Sequence, residues 1–85
     1  VEPERLRAVI AANIRRHAAR KGLTMPVLAG LAGVAHGGLY RVVNGTAYIR
    51  ADTLARVAAA LGVLPRQLVD ERAVEGGKAR RSSRG

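Results

Sequence analysis

The side chains that most often carry chemistry near neutral pH are scarce in this sequence. His17 and His36 are its only histidines, and there is no cysteine. Neither histidine has a cysteine or a suitably spaced carboxylate with which to build a nucleophilic triad or a zinc site. No glycine-rich loop joins a strand to a helix where it would cradle a phosphate. Enzymatic chemistry is therefore not expected, nor is a cofactor or metal. The lack of cysteine excludes a disulfide framework and fits a reducing compartment. What the chain holds in excess is positive charge: 15 Lys and Arg against 6 Asp and Glu, a formal net charge of +9.

The cations are unevenly placed. Residues 1–22 carry six of them against two acids, residues 51–75 are nearly balanced, and Lys78, Arg80, Arg81 and Arg84 close the chain with no acid among them. A surplus of this sign favours a polyanionic partner. Nucleic acid ranks ahead of an anionic membrane, because no basic amphipathic helix carries bulky apolar anchors. The bland alternative is that the arginines serve solubility alone. No apolar run approaches the roughly 20 residues that span a bilayer. The opening VEPERLRAVIAANIRR carries charge through the stretch that a secretory signal keeps apolar, so a cytoplasmic protein is expected.

The elements that must display this charge read as helices. At 85 residues one domain is the limit, and its core is small. Apolar residues make up 48%, mostly Ala, Leu and Val with no Phe or Trp, so the bulky filler of a β-sandwich is missing. Pro3-Glu4 suits a helix start. Leu6, Ile10, Ile14 and Ala18 recur every four residues with Val9 and His17 beside them, while Arg7, Arg15, Arg16 and Arg20 lie elsewhere. Lys21-Gly22 ends this helix, predicted over 3–21. His17, on its inner side, reads as a packing histidine at the core margin.

From Leu23 to Asn44 the chain reads as two short helices around a tight turn. Thr24 is an N-cap, Pro26 fits a first turn, and Leu28, Ala29 and Ala32 form an inward stripe that ends at Gly33. Val34 is a lone apolar residue in the turn. Residues 35–43 then form a helix with Leu39, Val42 and Val43 facing in, broken by Asn44-Gly45. Two helices too short to be stable alone, separated by a turn containing glycine, make the arrangement that binds DNA as a helix-turn-helix. After a loop at 45–50, Asp52 opens a fourth helix in which Leu54, Val57, Ala58 and Leu61 follow the i, i+3, i+4, i+7 pattern. Gly62 caps it, and Pro65 begins a last short helix whose Leu68 closes the core. Residues 1–75 are expected to form one helix-turn-helix domain, with the motif at 24–44 and a disordered basic tail at 76–85.

Ile14-Arg15, Gly22-Leu23-Thr24, Leu28-Ala29, Ala32-Gly33-Val34, Leu39, Asn44-Gly45, Thr53-Leu54 through Ala58, Leu61-Gly62-Val63 and Leu68 together resemble the lambda-repressor/Cro-type, or XRE, helix-turn-helix family over roughly residues 10–70. The resemblance implies an all-α, compact five-helix domain and a small transcriptional regulator of repressor type that binds double-stranded DNA, as a homodimer. It makes 24–32 the supporting helix and 35–43 the recognition helix in the major groove. Carried over by position, the base-contacting residues are Ala35, His36, Gly37, Tyr40 and Arg41. Arg41 leads, since a guanidinium can grip guanine O6 and N7 together. Backbone contacts are implied for the amide near Met25 and for Asn44, Thr46, Tyr48 and Arg50.

The sequence departs from this family in three places. Gly37-Gly38 stands where longer polar residues are usual, which weakens the helix and supplies no base-reading group, so either the backbone comes unusually close to the DNA or DNA shape carries more of the recognition. An ion pair usual between the ends of helices one and three is replaced by Ala18 and Val43, which should therefore lie near one another. Val27 and Leu31 put two aliphatic residues on a face that is usually charged. They are either tolerated surface residues or part of an interface, with Leu64, Leu68 and Val69 as the usual dimer surface. The tail cations Lys78, Arg80, Arg81 and Arg84 suit a flexible arm on DNA, or have no role. The competing functional reading is an antitoxin-type module that binds a partner protein as well as DNA.

Overall fold

The structure, a computed structural model, describes residues 2–72. The expected disordered tail at 76–85, including Lys78, Arg80, Arg81 and Arg84, lies outside the described residues. Five helices follow one another: α1 Pro3–Lys21, α2 Met25–Ala32, α3 His36–Val43, α4 Ala51–Leu61 and α5 Pro65–Leu68. Their order and type are those expected from the sequence, and no strand occurs among the described residues.

Local chemistry sets the boundaries. Thr24 Oγ1 accepts from the Val27 amide at the head of α2. Gly33, at φ 70°, ends α2 by turning left-handed, where a Cβ is strained. Its amide donates to the Gly30 carbonyl, and that of Val34 to the Ala29 carbonyl at 3.0 Å. Val34 then folds back onto the core. Gly22-Leu23 ends α1, and Gly62-Val63 ends α4, with the same pair of bonds and the same inward apolar residue. One device thus makes three of the corners.

The helices close on a single core built around Ile14, Leu28, Leu39, Val57, Leu61 and Leu68, each at most 1% exposed. Burying a side chain of this size contributes about 1.5–3 kcal/mol. Such burial is needed because α2 and α3, eight residues each, do not persist alone. The first packs chiefly on α4 and the second on α1, so the two short helices of the motif are held by the two long ones. Ala18 and Val43 are both buried in the same cluster, on helices that pack together.

The Leu68 expectation needs correcting in part. Its side chain is wholly buried in the chain's own core, so it has no surface to offer a second subunit. The reason is a polar clasp the sequence did not reveal. Asn13, also fully buried, donates from Nδ2 to the carbonyls of Leu68 at 2.9 Å and Asp70 at 3.2 Å. This draws the end of α5 against the middle of α1. Arg16 donates in turn to Asn13 Oδ1, and Arg5 pairs with Glu71 at the same edge.

Candidate nucleic-acid interface

The recognition helix owes its presentation to how little of it the core needs. Leu39, Val42 and Val43 are buried, whereas Ala35, His36, Gly37, Tyr40 and Arg41 are exposed. The helix begins without a side-chain cap, because its N-cap residue is Ala35. His36 and Tyr40, one turn apart, set their rings 6.0 Å from each other at 55°. Among the described residues the Arg41 guanidinium has no partner, so it is available to a ligand. Gly37 and Gly38 leave open space where a side chain would stand.

Gly38 is half-buried and borders a groove of about 240 Å³ between α3 and the loop that follows it. Leu39, Val42 and Ile49 form its inner wall, and Arg41, Tyr48 and Arg50 line its exposed side. The sequence places no acidic residue between Glu4 and Asp52, so the motif, and the helix before it beyond its first turn, carry cations only. A surface of this kind, with an apolar floor, an aromatic ring and the unpaired Arg41 guanidinium beside Arg50, suits a sugar-phosphate chain.

The residues expected to meet the DNA backbone fall at two separate places. At the head of α2, Pro26 has no amide proton and the Val27 amide is already held by Thr24, which leaves the Met25 amide as the single free donor of the first turn. The Met25 side chain itself packs on the core. Asn44, Thr46, Tyr48 and Arg50 lie together in the α3–α4 loop and are all exposed. Their groups are partly engaged within the protein. Asn44 Oδ1 accepts from Arg15 at 2.9 Å, and Thr46 Oγ1 donates to the Arg41 carbonyl at 3.1 Å. Arg50 pairs with Asp52 at 3.2 Å, on the surface. That bond, followed by the Thr53 amide, holds the Asp52 carboxyl below its ordinary value.

A sequence profile described as a helix-turn-helix domain matches residues 9–71. The chain belongs to that family. Among solved structures, this helix-turn-helix chain is similar to a hypothetical transcription factor, NHTF, from Neisseria, with 31% identity, a TM-score of 0.75 and coverage of 82% of this chain and 80% of that one. It is similar also to the restriction-modification controller protein C.AhdI from Aeromonas hydrophila, at 26% identity and TM-score 0.70, covering 73% of this chain and 94% of that one. The clp gene regulator ClgR from Corynebacterium glutamicum matches at 30% identity and TM-score 0.73, covering 93% and 82%. No curated protein matches the sequence.

In this helix-turn-helix chain two arginines of α1 also border the interface. Arg7 and Arg15 were expected simply to lie off the apolar face of α1, yet both reach the end of α3. Arg15 Nε donates to the Val43 carbonyl at 3.1 Å, and Arg7 Nε to that of Gly45 at 3.2 Å. The Arg7 guanidinium also lies over the Tyr48 ring, 4.5 Å from its centroid. One signal was available: both arginines share an i, i+4 row with Ala11, which is buried, so the row borders the packed side of the helix.

Proposed function

We propose that this chain is a transcriptional regulator that recognises a specific double-stranded DNA sequence by laying α3 in the major groove, and that it acts as a repressor. The observation that carries the reading is the outward face of α3, where Arg41 has no partner among the described residues and neither α2 nor α3 contains an acid. The similar structures include a hypothetical transcription factor, a controller protein and a gene regulator, which supports the same reading. Arg41 reads a guanine, the groove bordered by Gly38 receives the adjoining strand, and the loop groups of Asn44, Thr46 and Tyr48 fix the register on phosphates. The role is one of binding, without catalysis, in the cytoplasm.

Selection from a random duplex library with the full chain tests this. One enriched motif is expected, and Arg41→Ala should relax preference at one guanine by about 1–3 kcal/mol. Enrichment of no motif, with equal retention of all sequences, would reject sequence-specific recognition.

A second copy of the chain is proposed as a partner on DNA. Leu64 is 52% and Val69 37% exposed at the α5 corner, apolar surface that a twofold contact would cover. Val27 at 49% and Leu31 at 61% form a second exposed pair on α2, which favours the alternative of a partner protein bound alongside DNA. Affinity capture from the native host separates the two: a stoichiometric small protein supports the second, recovery of DNA alone the first. The tail cations are proposed as an arm on DNA, whose deletion should lower the slope of log affinity against log salt by up to about 4.

A further inference from the structure

The end of α3 differs from the other helix ends. Gly45, at φ 76°, makes the same left-handed exit, with its amide on the Val42 carbonyl and that of Thr46 on the Arg41 carbonyl, both at 3.0 Å. Elsewhere the residue after the glycine is apolar and packs on the core, as Leu23, Val34 and Val63 do. Here that residue is Thr46, polar and exposed, so the turn lacks the apolar anchor that fixes its counterparts. Ala18 and Val43, buried at the ends of α1 and α3, bring no charge that could tie the two helix ends together.

The last four carbonyls of α3 are nonetheless all satisfied. Tyr40 accepts from the Asn44 amide, Arg41 from Thr46 twice, and Val42 from Gly45. The fourth, Val43, accepts from the side chain of Arg15. The same guanidinium donates to Asn44 Oδ1 through Nη2, beside Nε on one edge, a fork that only arginine provides. Arg7, two turns earlier on α1, closes the carbonyl of Gly45, two residues beyond Val43, and covers the Tyr48 ring.

We infer that Arg15 and Arg7 act as a positioning clamp: from α1 they cap the recognition helix and set the orientation of Asn44 and Tyr48, the groups that face the DNA backbone. The inference rests on the DNA-binding reading for its consequence, but the clamp itself is a property of the free protein. With Oδ1 held by Arg15, the Asn44 amide nitrogen is turned to donate elsewhere. The two cations also sit at the negative end of the α3 dipole, where their charge is favourable. Their work is done through the loop, and they are not themselves phosphate ligands.

The test uses the full chain and the duplex enriched by wild-type selection, at a temperature where circular dichroism shows each variant folded. Arg15→Gln should weaken binding roughly tenfold, the equivalent of a lost pair of modest hydrogen bonds. The salt slope should stay unchanged, and Arg15→Lys should fail to restore affinity because a point charge cannot span both acceptors. In the free protein, amide hydrogen exchange at Gly45 and Thr46 should speed up in Arg15→Gln and in Arg7→Gln. A slope reduced by about 0.9 and restored by Arg15→Lys would make Arg15 a phosphate ligand and overturn the inference. So would unchanged exchange at Gly45 and Thr46, whether or not DNA binds. If wild type enriches no duplex while exchange still responds, the clamp stands and the DNA reading falls.

Discussion

Replacing Gly37 and Gly38 by alanine separates what the recognition helix needs to fold from what it needs to read DNA. Both residues lie in the first turn of α3, neither has a positive φ, and a Cβ built on either meets no atom within 4 Å. Alanine therefore fits both sites without strain. The gain comes chiefly from the unfolded chain, which loses backbone freedom when glycine is replaced, and amounts to about 0.4–1 kcal/mol per site. The two sites are adjacent but their side chains point into open space, so the effects should add to about 1–2 kcal/mol. For a domain of this size each kcal/mol raises the melting temperature by about 4–8 °C. Urea denaturation provides the assay, with a higher midpoint and an unchanged m-value expected. Affinity for the selected duplex, measured on the same samples, should move the other way, because the new methyl groups occupy the face proposed to approach the bases. A lower midpoint for either single variant would refute the helix argument. Higher stability with unchanged affinity would show that no close approach to DNA depends on these glycines.

His17 is buried, and burial, with Arg16 and Arg20 adding to it, lowers its pKa below the ordinary 6.5. The unfolded chain thus binds more protons in the window just below 6.5, so stability should fall as pH drops through that window, and His17→Gln should flatten the dependence in melts at stepped pH. Asn13→Ala strips the buried Leu68 carbonyl of its donor and should cost about 1–3 kcal/mol in urea unfolding; a neutral result would mean that water replaces the clasp. Leu68→Ala should cost about 2–5 kcal/mol by leaving a cavity, whereas Leu64→Glu should leave the midpoint nearly unchanged and shift sedimentation toward monomer.

The sequence by itself determined the helices and their ends. Gly22-Leu23, Gly33-Val34 and Gly62-Val63 each join a residue free to turn left-handed to an apolar residue that must fold inward, and Thr24 caps through a hydroxyl three residues from its donor. These are local effects, acting within one turn, so spacing in the chain reveals them. The outward residues of α3 were legible for the same reason: once Leu39, Val42 and Val43 face in, the helical period sends Ala35, His36, Gly37, Tyr40 and Arg41 out.

Only the tertiary structure decided what the polar side chains of α1 do. Asn13, Arg7 and Arg15 occupy positions that a hydrophobic period leaves undefined, and their acceptors lie 55, 38 and 28 residues away along the chain. Those acceptors are backbone carbonyls, which every residue possesses, so no side-chain pattern marks them as partners. Leu68 shows the same limit in an apolar residue. Its type suits either a core or a contact between subunits, and what commits it to the core is the way α5 is drawn onto α1 by Asn13.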